Sequence, residues 1–274
     1  VVDDSAPHMM SEKKTAIVTG ASSGIGKATA IALAEKGWNL VLAARRPHEL
    51  EDTAALCRAQ GAGCLSVPAD VSNADQCSSL VEKALAEFGA VHLLVNNAGF
   101  AIFDSISEAS TTNLTDMMNT NYFGTVYCVK AVLPHMIGNR RGAIVNIGSI
   151  SGIMGFAGMG GYSASKFALA GFTEALRDEL KDSGVTVSLI CPGTTNTPFF
   201  NIAEKGKMPH ANRLILAISP ERVARAVLRA EQRGSYRIIL PVTAAVFMKM
   251  KELLPRTSHF LMRTVSNLFV RSRH

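Results

Sequence analysis

The sequence predicts an α/β protein built on a parallel, doubly wound sheet of about seven strands, with helices on both faces in three layers. Three observations predict it. Short apolar runs of strand character alternate with amphipathic helical stretches along most of the chain. The first such run, Thr15-Ala16-Ile17-Val18, passes through the glycine-rich turn Thr19-Gly20-Ala21-Ser22-Ser23-Gly24-Ile25-Gly26 into an Ala-rich helix. Hydrophobic residues make up 47% of the 274, enough to bury both faces of a sheet.

Taken in order, the first strand spans 15–19 and the first helix 25–36. A strand over 39–44 ends in Val41-Leu42-Ala43-Ala44, and Pro47 opens a helix over 47–60. Strands near 63–67 and 91–95 are separated by a helix over 73–88, and a long, broken helix is expected over 107–138. The run Gly142 to Gly148 makes the next strand, followed by a helix over 161–182 and a strand over 185–190. A helix over 219–232 and a strand over 236–240 complete the pattern, with right-handed crossovers throughout. The whole reads as one domain, 13–241. Residues 1–12 are expected to be a disordered leader or an expression remnant, with no basic or apolar signal region. Residues 242–274 read as a basic amphipathic C-terminal extension.

Composition excludes several classes. The five cysteines, Cys57, Cys64, Cys77, Cys128 and Cys191, form no Cys-x-x-Cys and lie near no His cluster. A disulfide framework and a metal site are therefore not expected, and a reducing, cytoplasmic compartment is. No run reaches the 18 apolar residues that a spanning helix would need. From Pro241 onward six Lys/Arg face one acid, Glu252, a balance of +5 against +6 for the whole chain. The body is thus close to neutral and carries no nucleic-acid signature.

Chemistry is carried by two groupings. Tyr162 and Lys166 stand four residues apart and follow Ser149 by thirteen and seventeen. Residues at i and i+4 share a helix face, roughly 5–6 Å apart at Cβ. A fixed cation beside a phenol favours phenolate, so the Tyr162 pKa is expected to fall from its free value toward working pH. Tyr162 then suits proton exchange with a carbonyl or alcohol oxygen, and Ser149, at the end of its strand, suits bonding the same oxygen. The second grouping is the glycine turn. A strand, a glycine turn and a helix N-terminus make an anion site, where main-chain N–H groups point outward and glycine lets a pyrophosphate approach. Its spacing is Gly-x-x-x-Gly-x-Gly.

Together these groupings resemble the short-chain dehydrogenase/reductase family over about residues 13–241, with a Rossmann-type fold and strand order 3-2-1-4-5-6-7. The resemblance implies cofactor contacts from Gly20, Ser22, Ser23, Gly24, Ile25 and Gly26. It adds Asp70 and Val71 beside the adenine, and Asn97, Ala98 and Gly99 behind the cofactor after strand four. Pro192, Gly193, Thr195 and Thr197 would hold the nicotinamide amide, and Tyr162 and Lys166 its ribose. The implied catalytic set is Asn121, Ser149, Tyr162 and Lys166, with Asn121 holding a water that links Lys166 to solvent. Gly20 and Asn97 should face one another across the switch point between strands one and four. Two departures stand out: Thr195 replaces a frequent Val or Ile, and His92 a frequent Asp.

Cofactor choice rests on Arg45 and Arg46. An acid here would bond ribose hydroxyls, whereas a guanidinium forks onto a 2′-phosphate, so NADP(H) is expected. Ser23 stands where NADP-dependent relatives often carry a further basic residue. The resemblance implies hydride transfer between NADP(H) and a ketone, aldehyde or secondary alcohol. Ser149, Tyr162, Met154, Phe156 and Phe199 are expected to meet substrate, with Phe100, Ile102, Phe103, Ile150 and Phe200 nearby. This apolar set points to a hydrophobic carbonyl compound, and 199–218 to a lid. A non-enzymatic dinucleotide-binding sensor or scaffold is the alternative. Helices around 117–138 and 161–182 would pair in a homodimer or homotetramer. In the extension, Leu261, Val265, Leu268 and Phe269 share a helical face, suited to peripheral membrane contact or to packing on protein.

Overall fold

The structure, a computed structural model, describes residues 13–199 and 217–253. Seven strands form one sheet: β1 (Thr15–Thr19), β2 (Asn39–Ala44), β3 (Cys64–Pro68), β4 (Leu93–Asn96), β5 (Gly142–Ile147), β6 (Val185–Pro192) and β7 (Arg237–Leu240). Their order is β3-β2-β1-β4-β5-β6-β7 and every neighbouring pair is parallel. The helices are α1 (Gly24–Ala34), α2 (Pro47–Ala59), α3 (Ala74–Phe88), α4 (Thr111–Met118), α5 (Gly124–Gly138), α6 (Gly160–Glu179), α7 (Pro220–Arg233) and α8 (Val242–Leu253). The doubly wound three-layer fold expected from the alternation is the one observed.

Successive strand residues point to opposite faces, and here both faces are buried. Ala16, Val18, Leu40 and Leu42 meet Leu33 of α1, Leu50 of α2 and Val223 and Val227 of α7. On the other side Ile17, Val41, Leu94 and Ile144 meet Leu80 of α3, Val132 and Met136 of α5 and Leu176 of α6. Each wholly buried leucine or isoleucine contributes about 1.5–3 kcal/mol of transfer free energy. The five cysteines are free thiols, and Cys77 and Cys128 touch between α3 and α5 with their sulfurs 3.5 Å apart.

Element boundaries follow local hydrogen bonding. Ser110 caps α4 by accepting from Asn113 N–H, so this helix begins at 111 rather than 107. The expected break in the long helix is a π-helical turn, Asn119–Phe123, between α4 and α5. Val91 N–H donates to His135 Nε2 at 3.2 Å and stays out of the ladder, so β4 starts two residues later than the sequence suggests. β6 continues to Pro192 because β7 pairs along it, Pro192 opposite Leu240. His92 keeps a structural bond despite replacing an Asp: its Nδ1 accepts from Thr15 N–H at 3.1 Å. Residues 1–12, Phe200 and the rest of the expected lid up to 216, and Leu261, Val265, Leu268 and Phe269 lie outside the described residues.

A polar thread that sequence reading missed crosses the core. Asn96 Nδ2 donates to Asn146 Oδ1 at 2.9 Å, and Asn146 Nδ2 donates to Thr173 Oγ1 at 3.0 Å. The Thr173 hydroxyl donates in turn to Leu169 carbonyl, so β4, β5 and α6 are fixed in register directly behind the site. All three side chains are buried, which makes an unmatched partner expensive. Asn146→Ala should therefore lose about 1–3 kcal/mol of folding stability, read as a lower urea midpoint at unchanged slope. A midpoint equal to that of the parent chain would show the thread to be dispensable.

Candidate active site

The site lies where the chain leaves β1 and β4 in opposite directions. Thr19 fastens the two strand ends: its Oγ1 accepts from the N–H groups of Asn97 and Ala98 at 3.0 and 3.1 Å and donates to Val95 carbonyl. Asn97 Nδ2 donates back to the carbonyls of Thr19 and Gly20 at 3.0 and 3.2 Å. Gly20 has φ +65°, and a Cβ there would stand 2.8 Å from Asn97 Nδ2. A Cβ on Gly26 would strike the Gly20 carbonyl. Close approach requires glycine at both positions, and at Gly20 the torsion requires it as well. Thr19 was quoted in the glycine turn but not counted among the site residues. Its place directly before Gly20 was the available signal.

Beyond this turn α1 begins without a side-chain cap and without an acid in its first turn. The N–H groups around Gly24, Ile25 and Gly26 are left for an anion. Arg46 closes over the turn, donating to Ser22 Oγ at 3.0 Å and Ser23 Oγ at 3.1 Å. Arg46 also lies 3.3 Å from Glu49, and Arg45 lies 3.9 Å from Asp70, both at the surface. Asp70 accepts from Ser72 through Oδ1. Val71 is buried, its carbonyl accepting from Cys77 Sγ. Thr197 stands over Gly24, whose Cβ would lie 3.1 Å from that of Thr197. Gly193 N–H is tied to Leu240 carbonyl, beside buried Pro192, and Thr195 Oγ1 donates to Gly193 carbonyl. Thr195 also bridges to Ile218. A glycine cradle, an uncapped helix start and a guanidinium pair fit a nicotinamide dinucleotide, with its phosphates on the turn.

The residues expected to handle protons gather at the end of β5, the start of α6 and the π turn. Lys166 is buried, and its Nζ donates to Ile147 carbonyl at 2.9 Å. Asn121, in the π turn, accepts from Phe100 N–H through Oδ1 and donates through Nδ2 to Phe100 carbonyl and Ser165 Oγ, each at 2.9 Å. A Cβ on Gly99 would lie 2.8 Å from Asn121 Oδ1 and 3.7 Å from Lys166 Nζ, so only glycine fits between them. Ser149 Oγ accepts from Ser151 N–H at 3.1 Å and caps a short 3₁₀ turn. Ser149, Tyr162, Lys166 and Asn121 therefore converge as expected.

Their electrostatics differ from the expectation. Burial pushes the Tyr162 phenol up to about 12, and the Ser149 hydroxyl pulls only part of the way back. The net shift is upward although Lys166 Nζ lies 5.9 Å from the Tyr162 ring centre, because the cost of removing the phenolate from water dominates. Burial likewise draws Lys166 down to about 8. Cys191, buried beneath both, is pushed up to about 12 and stays a neutral thiol.

Around the phenol sits a separate apolar cluster of Ala101, Phe103, Met117 and Tyr162, flanked by Phe100, Ile102, Leu114, Met159 and Phe199. Phe103 meets the Tyr162 ring edge-on at 6.0 Å, and Phe199 tilts against it at 5.9 Å. Met154 is buried and Phe156 half-buried, and both, expected to meet substrate, stand outside this cluster. Leu114, Met117 and Met159 were missed, because nothing in their spacing shows that α4 folds over α6.

The short chain dehydrogenase profile matches residues 14–207. The chain belongs to this family. It is accordingly a family oxidoreductase with a nucleotide-binding fold. Among similar proteins, the 3-ketodihydrosphingosine reductase of Bacteroides thetaiotaomicron is 40% identical over 183 residues, covering 67% of this chain and 64% of that protein. A short-chain dehydrogenase/reductase of Burkholderia phymatum, solved in complex with NAD, superposes with a TM-score of 0.81 at 30% identity, covering 88% of this chain and 93% of the other. An alcohol dehydrogenase of the archaeon Thermococcus sibiricus, complexed with 5-hydroxy-NADP, gives a TM-score of 0.75 at 29% identity, covering 84% and 96%. Family neighbours thus include structures with either type of dinucleotide.

Lys166 supplies a test of the buried electrostatics. Its folded value, about 8, lies below its ordinary 10.5, so between these the unfolded chain binds more protons than the folded one. Stability should rise with pH across this window, by roughly 3 kcal/mol from this residue alone. Lys166→Met should flatten that rise relative to the parent chain in melts taken from pH 7 to 10. Parallel curves would show that the ammonium is not desolvated.

Proposed function

We propose that this chain is an NADP(H)-linked reductase of a hydrophobic ketone or aldehyde, with Tyr162 as the proton donor. The observation that carries the reading is the neutral, buried phenol set inside an apolar cage at the dinucleotide crevice. When bound, the nicotinamide supplies the two electrons that reduce the carbonyl carbon. Tyr162 gives its proton to the carbonyl oxygen, and Ser149 holds that oxygen in place by a second hydroxyl bond. A phenol pushed up to about 12 is protonated at neutral pH and so holds a proton to give. Lys166, anchored on Ile147 carbonyl, stands as the nearby cation that stabilises charge on Tyr162 after the proton leaves.

Asn121 acts here as a positioning residue. Its amide is committed to Phe100 and Ser165, so a water on the way to Lys166 would be held by the main chain of the π turn. In that turn Gly124 N–H reaches back to Asn119 carbonyl, one residue further than in an α-helix. The NADP(H) assignment is supported by Arg46 resting on Ser22 and Ser23, with exposed Arg45 beside it, where a 2′-phosphate would replace the serine hydroxyls. A hydrophobic acceptor is supported by the cage and by the 3-ketodihydrosphingosine in the name of the Bacteroides relative. Pairing of two copies is supported by Phe123, Ile137 and Phe167, large apolar residues exposed on the π turn, α5 and α6.

Two substitutions test the reading. Tyr162→Phe should bind NADPH normally, as judged by fluorescence titration, and lose about 10²–10⁴-fold in turnover of an aryl or alkyl ketone. Arg46→Glu should raise KM for NADPH while leaving that for NADH little changed. Equal catalytic efficiency of the parent chain with NADH and NADPH would defeat the cofactor assignment, and full activity of the phenylalanine variant would defeat the proton donor.

A further inference from the structure

Outside the residues assigned to the site, α7 and α8 carry a surface of their own. Arg222, Arg225 and Arg229 fall within about 60° of one another on a helix of 3.6 residues per turn, and all three are exposed. Among the described residues none of the three pairs with a carboxylate: Glu231, the acid on their own helix nearest Arg229, is taken by Lys14. The guanidiniums rim a groove of about 560 Å³ whose apolar lining is Leu228, Leu240 and Val242. Val242 begins α8, and with Val246, Lys249 and Leu253 it makes one outward stripe, again within about 60°. Val242 is 64% exposed, Val246 56% and Leu253 79%, whereas Met248, on the opposite side, is 5% exposed and faces the body.

An apolar stripe left in water next to a row of unpaired cations is a specific combination. Charge alone would suit any polyanion, but a nucleic acid offers nothing to the valine and leucine. An isologous contact with a second copy would gather six arginines into one patch, like charge near like. An anionic bilayer surface satisfies both halves at once, with lipid phosphates on the guanidiniums and acyl chains under the stripe. Lys249 fits the same arrangement by laying its stem along the apolar face and its ammonium at the headgroups.

We propose that the α7–α8 face docks this protein peripherally on membranes rich in anionic phospholipid. The full chain is sedimented with vesicles of phosphatidylcholine alone and with vesicles containing about 30% phosphatidylserine, where each basic residue near the surface contributes roughly a fivefold change in partition. Binding is expected to the anionic vesicles only and to weaken at high salt. Arg222→Ala/Arg225→Ala/Arg229→Ala should weaken it by roughly a hundredfold, and Val246→Asp should weaken it as well. Both variants should keep the parent melting curve and turnover of a small water-soluble ketone. Should the triple variant misfold, Arg225→Gln alone, expected to cost roughly fivefold, decides. The proposal is overturned if the parent chain ignores anionic vesicles or binds neutral ones equally, or if the arginine variants bind as the parent does. It is also overturned if light scattering shows the triple variant losing a subunit partner while vesicle binding is absent from both, which would make this face a contact between copies.

Discussion

Everything at the site depends on one joint, the fastening of β1 to β4 where the chain departs on opposite sides of the sheet. A single hydroxyl, that of Thr19, receives two main-chain N–H groups from the far strand, and the amide of Asn97 returns two bonds to the near one. The backbones come so close that neither Gly20 nor Gly26 has room for a side chain. This contact holds the glycine turn against the end of β4, and it brings Gly99 to Asn121 and Lys166. Loosening it would move the anion cradle and the proton-handling residues apart together.

Behind the joint, burial governs the chemistry. The environment of Tyr162 and Lys166 penalises charge on both, pushing the phenol up and the ammonium down. The Lys166 ammonium is held by a carbonyl of β5 rather than by a carboxylate, so it keeps a partner without losing its field. The site is thereby poised with a protonated phenol beside a cation that is costly to bury, and the fold absorbs that cost elsewhere, through two well-packed sheet faces and the Asn96–Asn146–Thr173 thread.

Much of this was legible in the chain. Short, nearly continuous apolar runs announce strands buried on both faces, and the glycine turn between Val18 and Ile25 announces the crevice. The Tyr162–Lys166 spacing on one helix, with Ser149 upstream, announces a cluster of polar side chains that the fold does gather. What was not legible depends on long-range contact. The direction of the Tyr162 shift follows from how deeply α6 is covered, which i, i+4 spacing does not encode. That α4 would lay Leu114 and Met117 over the phenol depends on the π turn at Asn121 re-aiming a helix. Arg46 could be read as basic, but its seat on Ser22 and Ser23 follows from the path of β2 past the turn.

The apolar cage around Tyr162 is built by the segment after Gly99, by α4 and by Phe199, and it is distinct from the two clusters that hold the sheet to its helices. Selectivity and foldedness are therefore drawn from different sets of side chains. Such a division lets the cage be remodelled, residue by residue, while the glycine turn and the Ser149, Tyr162 and Lys166 cluster keep their geometry. One scaffold can in this way diversify by exchanging its walls and leaving its foundations alone.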